Sequence, residues 1–187
     1  MLDFGPFDTR WDALIAACPL LLSMPGGQAG RQDSMGFDVR WRVSREYCSW
    51  LYYTPDEKYE MSMLVEGPEA PPYDQSKRSC VMPMAVADKR YASESLKYVY
   101  FLHGHPEFPT GLSAKDMAAI ALIRKVHGEY VETREGRVSV GFIAFFAKNY
   151  DPVQVKCDGF FEYSLGSNEV LKWTRDEQDR WHREEVR

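Results

Sequence analysis

The sequence predicts an α/β or α+β protein in which a mixed β-sheet is flanked by helices. Several apolar runs are rich in aromatic and β-branched residues, as is typical of strands, and residues 113–127 carry one clear helical pattern. The chain has 187 residues, 44% of them hydrophobic, which is enough for one well-packed core but not for two full domains. We therefore expect a single domain at 37–174, preceded by a helix and loop at 1–36 and followed by a charged tail at 175–187.

The N-terminal half is predicted to hold one helix and four strands. Residues 8–24 form an amphipathic helix that Pro19 kinks or breaks, and the glycine-rich stretch 25–36 forms a loop. Residues 66–76 contain three prolines and are expected to form an exposed loop. The predicted strands are 37–43 and 47–53, which we expect to pair as a hairpin, then 58–65 and 80–86.

The C-terminal half is predicted to hold the central strand and the clearest helix. The run 97–103 is apolar on both faces, as expected for a strand in the middle of a sheet. Residues 113–127 present a broad apolar face, and Gly128 ends the helix. Further strands are predicted at 138–147, 153–165 and 170–174. The tail from residue 175 is expected to be either a solvated helix or disordered.

Composition excludes several classes of function. The net charge is −5 and no basic block is present, so nucleic acid is not the expected partner. No stretch approaches the ~18 apolar residues of a membrane span, and the apolar run 13–24 lacks the basic start and long core of a signal peptide. The four cysteines are widely spaced and are expected to be buried free thiols in a reducing compartment. We therefore expect a cytoplasmic protein.

The run 103–106 (HGHP) holds two of the four histidines, His103 and His105, at the end of the predicted central strand. Side chains two residues apart on a strand point to the same face. Both imidazoles therefore converge on one point, as a first-row metal requires of two nitrogen ligands. The proline ends the strand, and Asp116 lies in the first turn of the next helix, where it can supply a third ligand. Two histidines, one carboxylate and an open fourth position are typical of catalytic zinc.

These residues also have a simpler structural explanation. Ser113 and Asp116 form a good helix-capping pattern, with serine as the N-cap and an acid at the third helical position. The cap and the metal contact are compatible, because one carboxylate has two oxygens. The other two histidines, His127 and His182, stand in polar, charged surroundings and are interpreted as surface residues.

The block from His103 to Asp116 resembles the JAMM (MPN-plus, JAB-like) zinc metallopeptidases, which combine His-x-His-Pro with a serine and an aspartate at this spacing. The resemblance covers roughly residues 58–147 and implies an MPN-type mixed sheet. It implies that His103, His105 and Asp116 bind one zinc ion per chain. It also implies that Ser113 stabilises the oxyanion formed during hydrolysis.

That family also requires an upstream glutamate that acts as the general base. Residues 60–67 (EMSMLVEG) resemble this element, because Glu60 opens a short apolar run that ends in glycine. The resemblance therefore implies Glu60 as the base, in preference to Glu66 on the same strand face.

The resemblance implies an enzyme that hydrolyses a peptide or isopeptide bond in a protein or peptide substrate. Family members act on ubiquitin-like proteins and their conjugates, among other substrates. The chain departs from the usual pattern in having glycine between the two histidines, which places it in a divergent branch. The alternative is a non-catalytic MPN-type module that binds a partner protein. Retention of all five polar positions favours the enzyme.

Overall fold

The computed structural model describes residues 4–68, 78–108 and 110–186. Within these residues the helices are α1 (Arg10–Leu22), α2 (Phe37–Val43) and α3 (Ala114–His127), with a 3-10 turn at Ser93–Ser95. The strands are β1 (Gly30–Arg31), β2 (Tyr47–Tyr53), β3 (Tyr59–Met61), β4 (Val65–Glu66), β5 (Lys97–Gly104), β6 (Glu107–Phe108), β7 (Tyr130–Thr133), β8 (Gly136–Ser139), β9 (Gly141–Phe146), β10 (Gly159–Ser164), β11 (Glu169–Arg175) and β12 (Trp181–Glu185). The expected mixed α/β architecture is confirmed.

Eight strands form the main sheet, in the order β12-β11-β10-β9-β5-β2-β3, with β4 also paired to β2. The central strand β5 runs parallel to β9 and antiparallel to β2. Two small sheets lie outside it, one of β1 with β6 and one of β7 with β8. The C-terminal end of β5 therefore lies between the end of β9 and the start of β2.

Each face of the sheet is covered by a different layer. On one face, α1 packs Leu14 and Leu21 against Leu102 of β5 and Phe145 of β9. On the other face, α3 and the segment 80–96 cover a second cluster of buried side chains, which includes Trp50, Phe101, Phe142, Ile120 and Ile123. Burial of these apolar surfaces is the main term that stabilises the layers. No helix among the described residues is long and apolar enough to cross a membrane.

Several predicted elements are confirmed. The helix expected at 8–24 is α1, and it continues through Pro19. The strands expected at 47–53, 97–103 and 170–174 are β2, β5 and β11, and the helix expected at 113–127 is α3. The apolar face of α3 is narrower than predicted, because its Met117 and Leu122 are exposed.

The strand and hairpin predicted at 37–43 are wrong, because this segment forms α2. Phe37 and Trp41, four residues apart, stack with ring centroids 5.8 Å apart, a contact that helical spacing allows and a strand does not. The pairing positions along β2 are already taken by β3, β4 and β5. The predicted hairpin partner, β2, is therefore not available to this segment.

The predicted strand at 80–86 is also wrong. This segment is irregular and is held to the sheet by side chains: the Trp50 indole donates to the Pro83 carbonyl, and the Val86 amide donates to the Tyr98 hydroxyl. The strand expected at 58–65 is split into β3 and β4, that at 138–147 is split into β8 and β9, and only residues 159–164 of the strand expected at 153–165 are extended.

The charged tail forms β12 instead of a solvated helix or a disordered segment. It pairs antiparallel with β11, and its Trp181 ring contacts Trp11 and Phe160. The charged residues of β12 are exposed at the edge of the sheet, where charge opposes pairing with another chain.

The prediction of four free thiols is wrong, because the cysteines form two disulfides. Cys18 of α1 is joined to Cys157 before β10, and Cys48 of β2 is joined to Cys80, with Cα atoms 5.7 and 5.9 Å apart. The pairs are 139 and 32 residues apart in the chain. Such long separations leave no local pattern in a sequence, so the pairing is visible only once the fold brings the cysteines together.

We predict that loss of the long-range disulfide strongly destabilises the protein. The double variant Cys18→Ala/Cys157→Ala should lose about 3–5 kcal/mol of unfolding free energy, because the crosslink no longer restricts the unfolded chain. Urea unfolding followed by far-UV circular dichroism measures the loss, with the unmodified protein under oxidising conditions as the reference. Four reactive thiols in the denatured, unreduced protein would contradict the pairing itself.

Candidate metal centre

The two histidines of the run 103–106 are held at the end of β5. His103 lies opposite Cys48 of β2 and Ala144 of β9, and the His105 amide donates to the Phe145 carbonyl at 2.8 Å. Both side chains are buried, with exposed fractions of 2% for His103 and 6% for His105. Pairing on both sides of β5 therefore fixes both imidazoles inside the protein.

Their Nε2 atoms converge with a carboxylate from α3. The Nε2 atoms of His103 and His105 are 2.7 Å apart. Asp116 places Oδ1 3.5 Å from the first and Oδ2 3.6 Å from the second. The three residues offer ligand atoms that all lie within 4.8 Å of one another. The structure thus brings together the three predicted metal ligands.

The second ring nitrogen of each histidine faces a backbone carbonyl. The His103 Nδ1 lies 2.9 Å from the Ile143 oxygen, and the His105 Nδ1 lies 3.3 Å from the Thr110 oxygen. A carbonyl only accepts, so each Nδ1 carries the hydrogen and donates it. Both neutral rings then present lone pairs at Nε2. This arrangement is typical of metal-binding histidines, whose other nitrogen is fixed by a hydrogen bond.

The chemistry of these atoms fits a small divalent cation. Two Nε2 lone pairs and one carboxylate face a common point, and none of the three supplies a hydrogen to the others while the imidazoles are neutral. A tetrahedral zinc ion ~2.0–2.1 Å from each ligand atom sets those atoms ~3.3 Å apart. The nitrogen–oxygen separations of 3.5 and 3.6 Å are close to this value but involve different oxygens of Asp116, and the two imidazoles need to move apart by about half an ångström.

Asp116 also completes the predicted helix cap. Its Oδ2 accepts from the Ser113 amide at 2.6 Å, and its own amide donates to the Ser113 hydroxyl oxygen at 3.2 Å, which forms a capping box. Capping and metal binding thus use the same carboxylate without conflict. The cap holds the carboxylate in the orientation that faces His103 and His105.

Burial and charge set the protonation of the group. Burial and the neighbouring His105 lower the pKa of His103 to about 3, so that this imidazole is neutral. Burial opposes ionisation of Asp116, yet the two histidines and the Ser113 amide lower the pKa of that carboxyl overall. Burial also opposes a charge on His105, but Asp116 and Glu46 raise its pKa on balance. A cation at this point therefore competes with a proton on His105 only.

Glu46, which the sequence analysis did not select, lies beside this group. Continuing the pairing of Cys48 with His103 by two residues places position 46 opposite His105. Burial raises the pKa of the Glu46 carboxyl, and the charge of Asp116 raises it further. The Gly67 amide donates to the Glu46 carbonyl at 2.7 Å and so fixes its backbone. The missed signal is that Glu46 directly precedes the aromatic run 47–53, the strand next to β5.

Glu60 is not brought to the histidines, so its assignment as the general base is corrected. It lies opposite Tyr52 on β3 and forms an ion pair with Arg90. Tyr52 is four residues along β2 from Cys48, which places Glu60 ~13 Å from the level of His103. Glu66 is no substitute, because it forms an ion pair with Arg45. The strand that carries Glu60 is separated from β5 by β2, a distance that the chain spacing alone does not reveal.

A strap of four residues, Arg78–Val81, passes over the site. Its Cys80 is joined to Cys48, the residue that pairs with His103. The Arg78 guanidinium is 3.6 Å from the Trp41 ring and donates to a backbone carbonyl just after α2. These contacts fix the strap between α2 and the start of α3.

Two cavities flank the metal ligands. The first has a volume of about 280 Å³ and reaches His103 and Asp116, and the second has a volume of about 390 Å³ and reaches His105. The two cavities share four lining residues: Glu46, Arg78, Ser113 and Lys115. Ser113 is exposed and lines both cavities, and its role at an oxyanion stays a prediction.

The remaining histidines lie away from this group. His182 is exposed and contacts Asp176 at 2.8 Å, as expected for a surface residue. The surface interpretation of His127 is wrong, because its ring lies 4.1 Å from the Tyr98 ring and 5.0 Å from the Trp50 ring. Burial lowers the pKa of His127 and so favours the neutral imidazole in this packed position.

No protein-family model, curated protein or solved structure matches this chain. The resemblance to the JAMM metallopeptidases therefore rests on the residues at 103–116, and the family assignment stays a prediction.

We predict that the chain binds one zinc ion and that His103→Ala lowers the affinity by ~100-fold or more, because only two ligands then remain. Competition with a fluorescent zinc chelator measures the affinity. The matched control is His182→Ala, which removes an exposed histidine and should leave zinc binding unchanged. Less than a tenth of an equivalent of zinc on the wild-type protein, after zinc is offered, would contradict the site.

Proposed function

We propose that this protein is a zinc-dependent metallopeptidase of the JAMM type that hydrolyses a peptide or isopeptide bond, on an MPN-type fold. The supporting observation is the convergence of two Nε2 atoms and one carboxylate, with each Nδ1 tied to a carbonyl. Three protein ligands leave the fourth position of a tetrahedral ion open, which is typical of catalytic zinc.

His103, His105 and Asp116 would hold the ion. When bound, zinc supplies Lewis-acid chemistry, since its charge acidifies water and polarises a carbonyl. The capping box and the two carbonyls at Ile143 and Thr110 keep the three side chains in place, so that little reorganisation accompanies the reaction.

Glu46 takes the role of general base that the sequence analysis gave to Glu60. A base must accept a proton from the attacking water and return it to the leaving amine, and this works best when its pKa lies near the working pH. Burial moves the Glu46 pKa upward in that direction. The residue lines both cavities that reach the ligands, so its carboxylate faces the space in which a substrate carbonyl would lie.

Ser113 is the proposed donor to the oxyanion. Its hydroxyl oxygen accepts from the Asp116 amide, which uses a lone pair and leaves the hydroxyl hydrogen available. Loss of one such donor in other enzymes costs ~3 kcal/mol of transition-state stabilisation. In this proposal the hydroxyl has two functions: it caps α3, and it donates a hydrogen bond to the oxyanion.

The proposed substrate is a protein or peptide, with ubiquitin-like conjugates among the candidates. An extended segment gives up backbone hydrogen bonds to water and regains them along a protein surface, which places one carbonyl at a fixed point.

The two disulfides favour an oxidising compartment and weigh against the cytoplasmic location expected from the sequence.

We predict that Glu46→Gln lowers kcat by ~10²-fold or more, because an amide cannot accept the proton. The matched control is Glu60→Gln, which removes the same charge outside the site and should leave kcat within about twofold. Zinc-loaded proteins are assayed by mass spectrometry on a panel of peptides and ubiquitin-like conjugates, with chelation as the blank.

Two outcomes would change this conclusion. A kcat that falls in Glu60→Gln but not in Glu46→Gln would restore the assignment made from the sequence. Failure of the zinc-loaded wild type to cleave any amide bond, together with tight binding of one of the conjugates, would favour the non-catalytic binding module.

A further inference from the structure

We propose that the 280 Å³ cavity beside His103 and Asp116 is a specificity pocket for one apolar side chain, of leucine or phenylalanine size, next to the scissile bond. This inference rests on the proposed peptidase function and goes further, because it names the residue type that the substrate must carry.

The floor of the cavity is aromatic. Phe101 of β5 and Phe142 of β9 stack with ring centroids 5.1 Å apart and planes 5° apart. The Phe142 centroid lies 4.6 Å from that of His103, so the apolar floor begins directly beside a metal ligand. Phe101 and Phe142 are 4% and 1% exposed, so a side chain that enters here meets a tightly packed aromatic floor of small exposed area beside His103.

The walls of the cavity leave room for a substrate side chain because the residues that form them are small. Ala118 and Ala119 of α3 form one wall, and the strap forms the other with Cys80 and Val81. Larger residues at 118 or 119 would fill the space. Val81 is 77% exposed, which leaves the mouth of the cavity open to solvent on this side. The cavity is thus an accessible pocket and not an enclosed packing defect.

The two ends of the cavity differ in chemistry. The end formed by His103, Asp116, Ser113 and Glu46 is polar and holds two of the three proposed ligands, the proposed base and the proposed oxyanion donor, while His105 lies at the second cavity. The end formed by Phe101, Phe142 and the alanines is apolar. A peptide whose carbonyl lies at the polar end directs the neighbouring side chain into the apolar end, because the two ends adjoin.

The volume indicates the size of that side chain. An apolar cavity of ~150 Å³ holds a benzene molecule, so about 280 Å³ accommodates a leucine or phenylalanine side chain together with part of its backbone. Glycine at this position would leave the apolar floor unfilled. The pocket therefore favours a large apolar residue on the side of the scissile bond that adjoins this cavity.

The test uses blocked peptides that differ at one position, scanned separately on each side of the bond, with Gly, Ala, Leu, Phe or Asp. For the wild type we expect kcat/KM for Leu and Phe to exceed that for Gly by at least tenfold, on one side only. Ala119→Phe, which fills the pocket, should abolish this preference and retain cleavage of the Gly and Ala peptides. The matched control is Ala121→Phe on the exposed face of the same helix, which should keep the preference.

Binding of the same peptides to zinc-loaded Glu46→Gln protein, measured by calorimetry, provides a readout that does not depend on turnover. If the wild type cleaves peptides without preference for Leu or Phe, the pocket is disproved while the peptidase stands. If nothing is cleaved, the peptidase fails, and the pocket stands only when Leu and Phe peptides bind at least tenfold more tightly than Gly. If Ala119→Phe does not fold by circular dichroism, Ala118→Leu at the more exposed position replaces it.

Discussion

The pairing of β5 with β9 is the constraint on which the candidate site depends. Through this pairing the Ile143 carbonyl meets the His103 ring, and the Phe145 carbonyl accepts from the His105 amide. The first contact sets the tautomer of one imidazole, and the second keeps the chain extended past Gly104, so that the two rings stay on one side. β2 then brings Glu46 to the same end of the sheet. The ligand geometry is thus a consequence of strand order.

The sequence predicted those parts of the site that lie close together in the chain. The strand 97–103, the histidine pair and the capped helix at 113–127 occupy about thirty consecutive residues, and each has a local pattern that tertiary contacts do not override. The grouping of the predicted ligands His103, His105 and Asp116 therefore follows from the sequence without the fold. Ser113 was found for the same reason, since the capping pattern marks it.

The predictions that were wrong concern residues whose surroundings are set by long-range contacts. Choosing between Glu46 and Glu60 requires knowing which strand neighbours β5, because Glu46 precedes β2 and Glu60 lies on β3. Cys48 and Cys80 were judged from spacing, which does not show that β2 and the strap meet. The segment 37–43 has the composition of a strand, but β2 is already paired on both sides, and the segment forms a helix in which Phe37 and Trp41 stack.

The strap carries a consequence for how the protein matures. The bond between Cys48 and Cys80 ties the strap covalently to β2, in addition to the contacts of Arg78 with α2. The Gly67 backbone lies so close to the Ser79 carbonyl that a Cβ at residue 67 would approach within 2.3 Å of its oxygen. In a nascent chain that is kept reduced, no covalent bond joins the strap to β2, even when the histidines are already in position. Completion of the wall that the strap forms is then coupled to thiol oxidation, which links the shape of the candidate site to the environment in which the chain finishes folding.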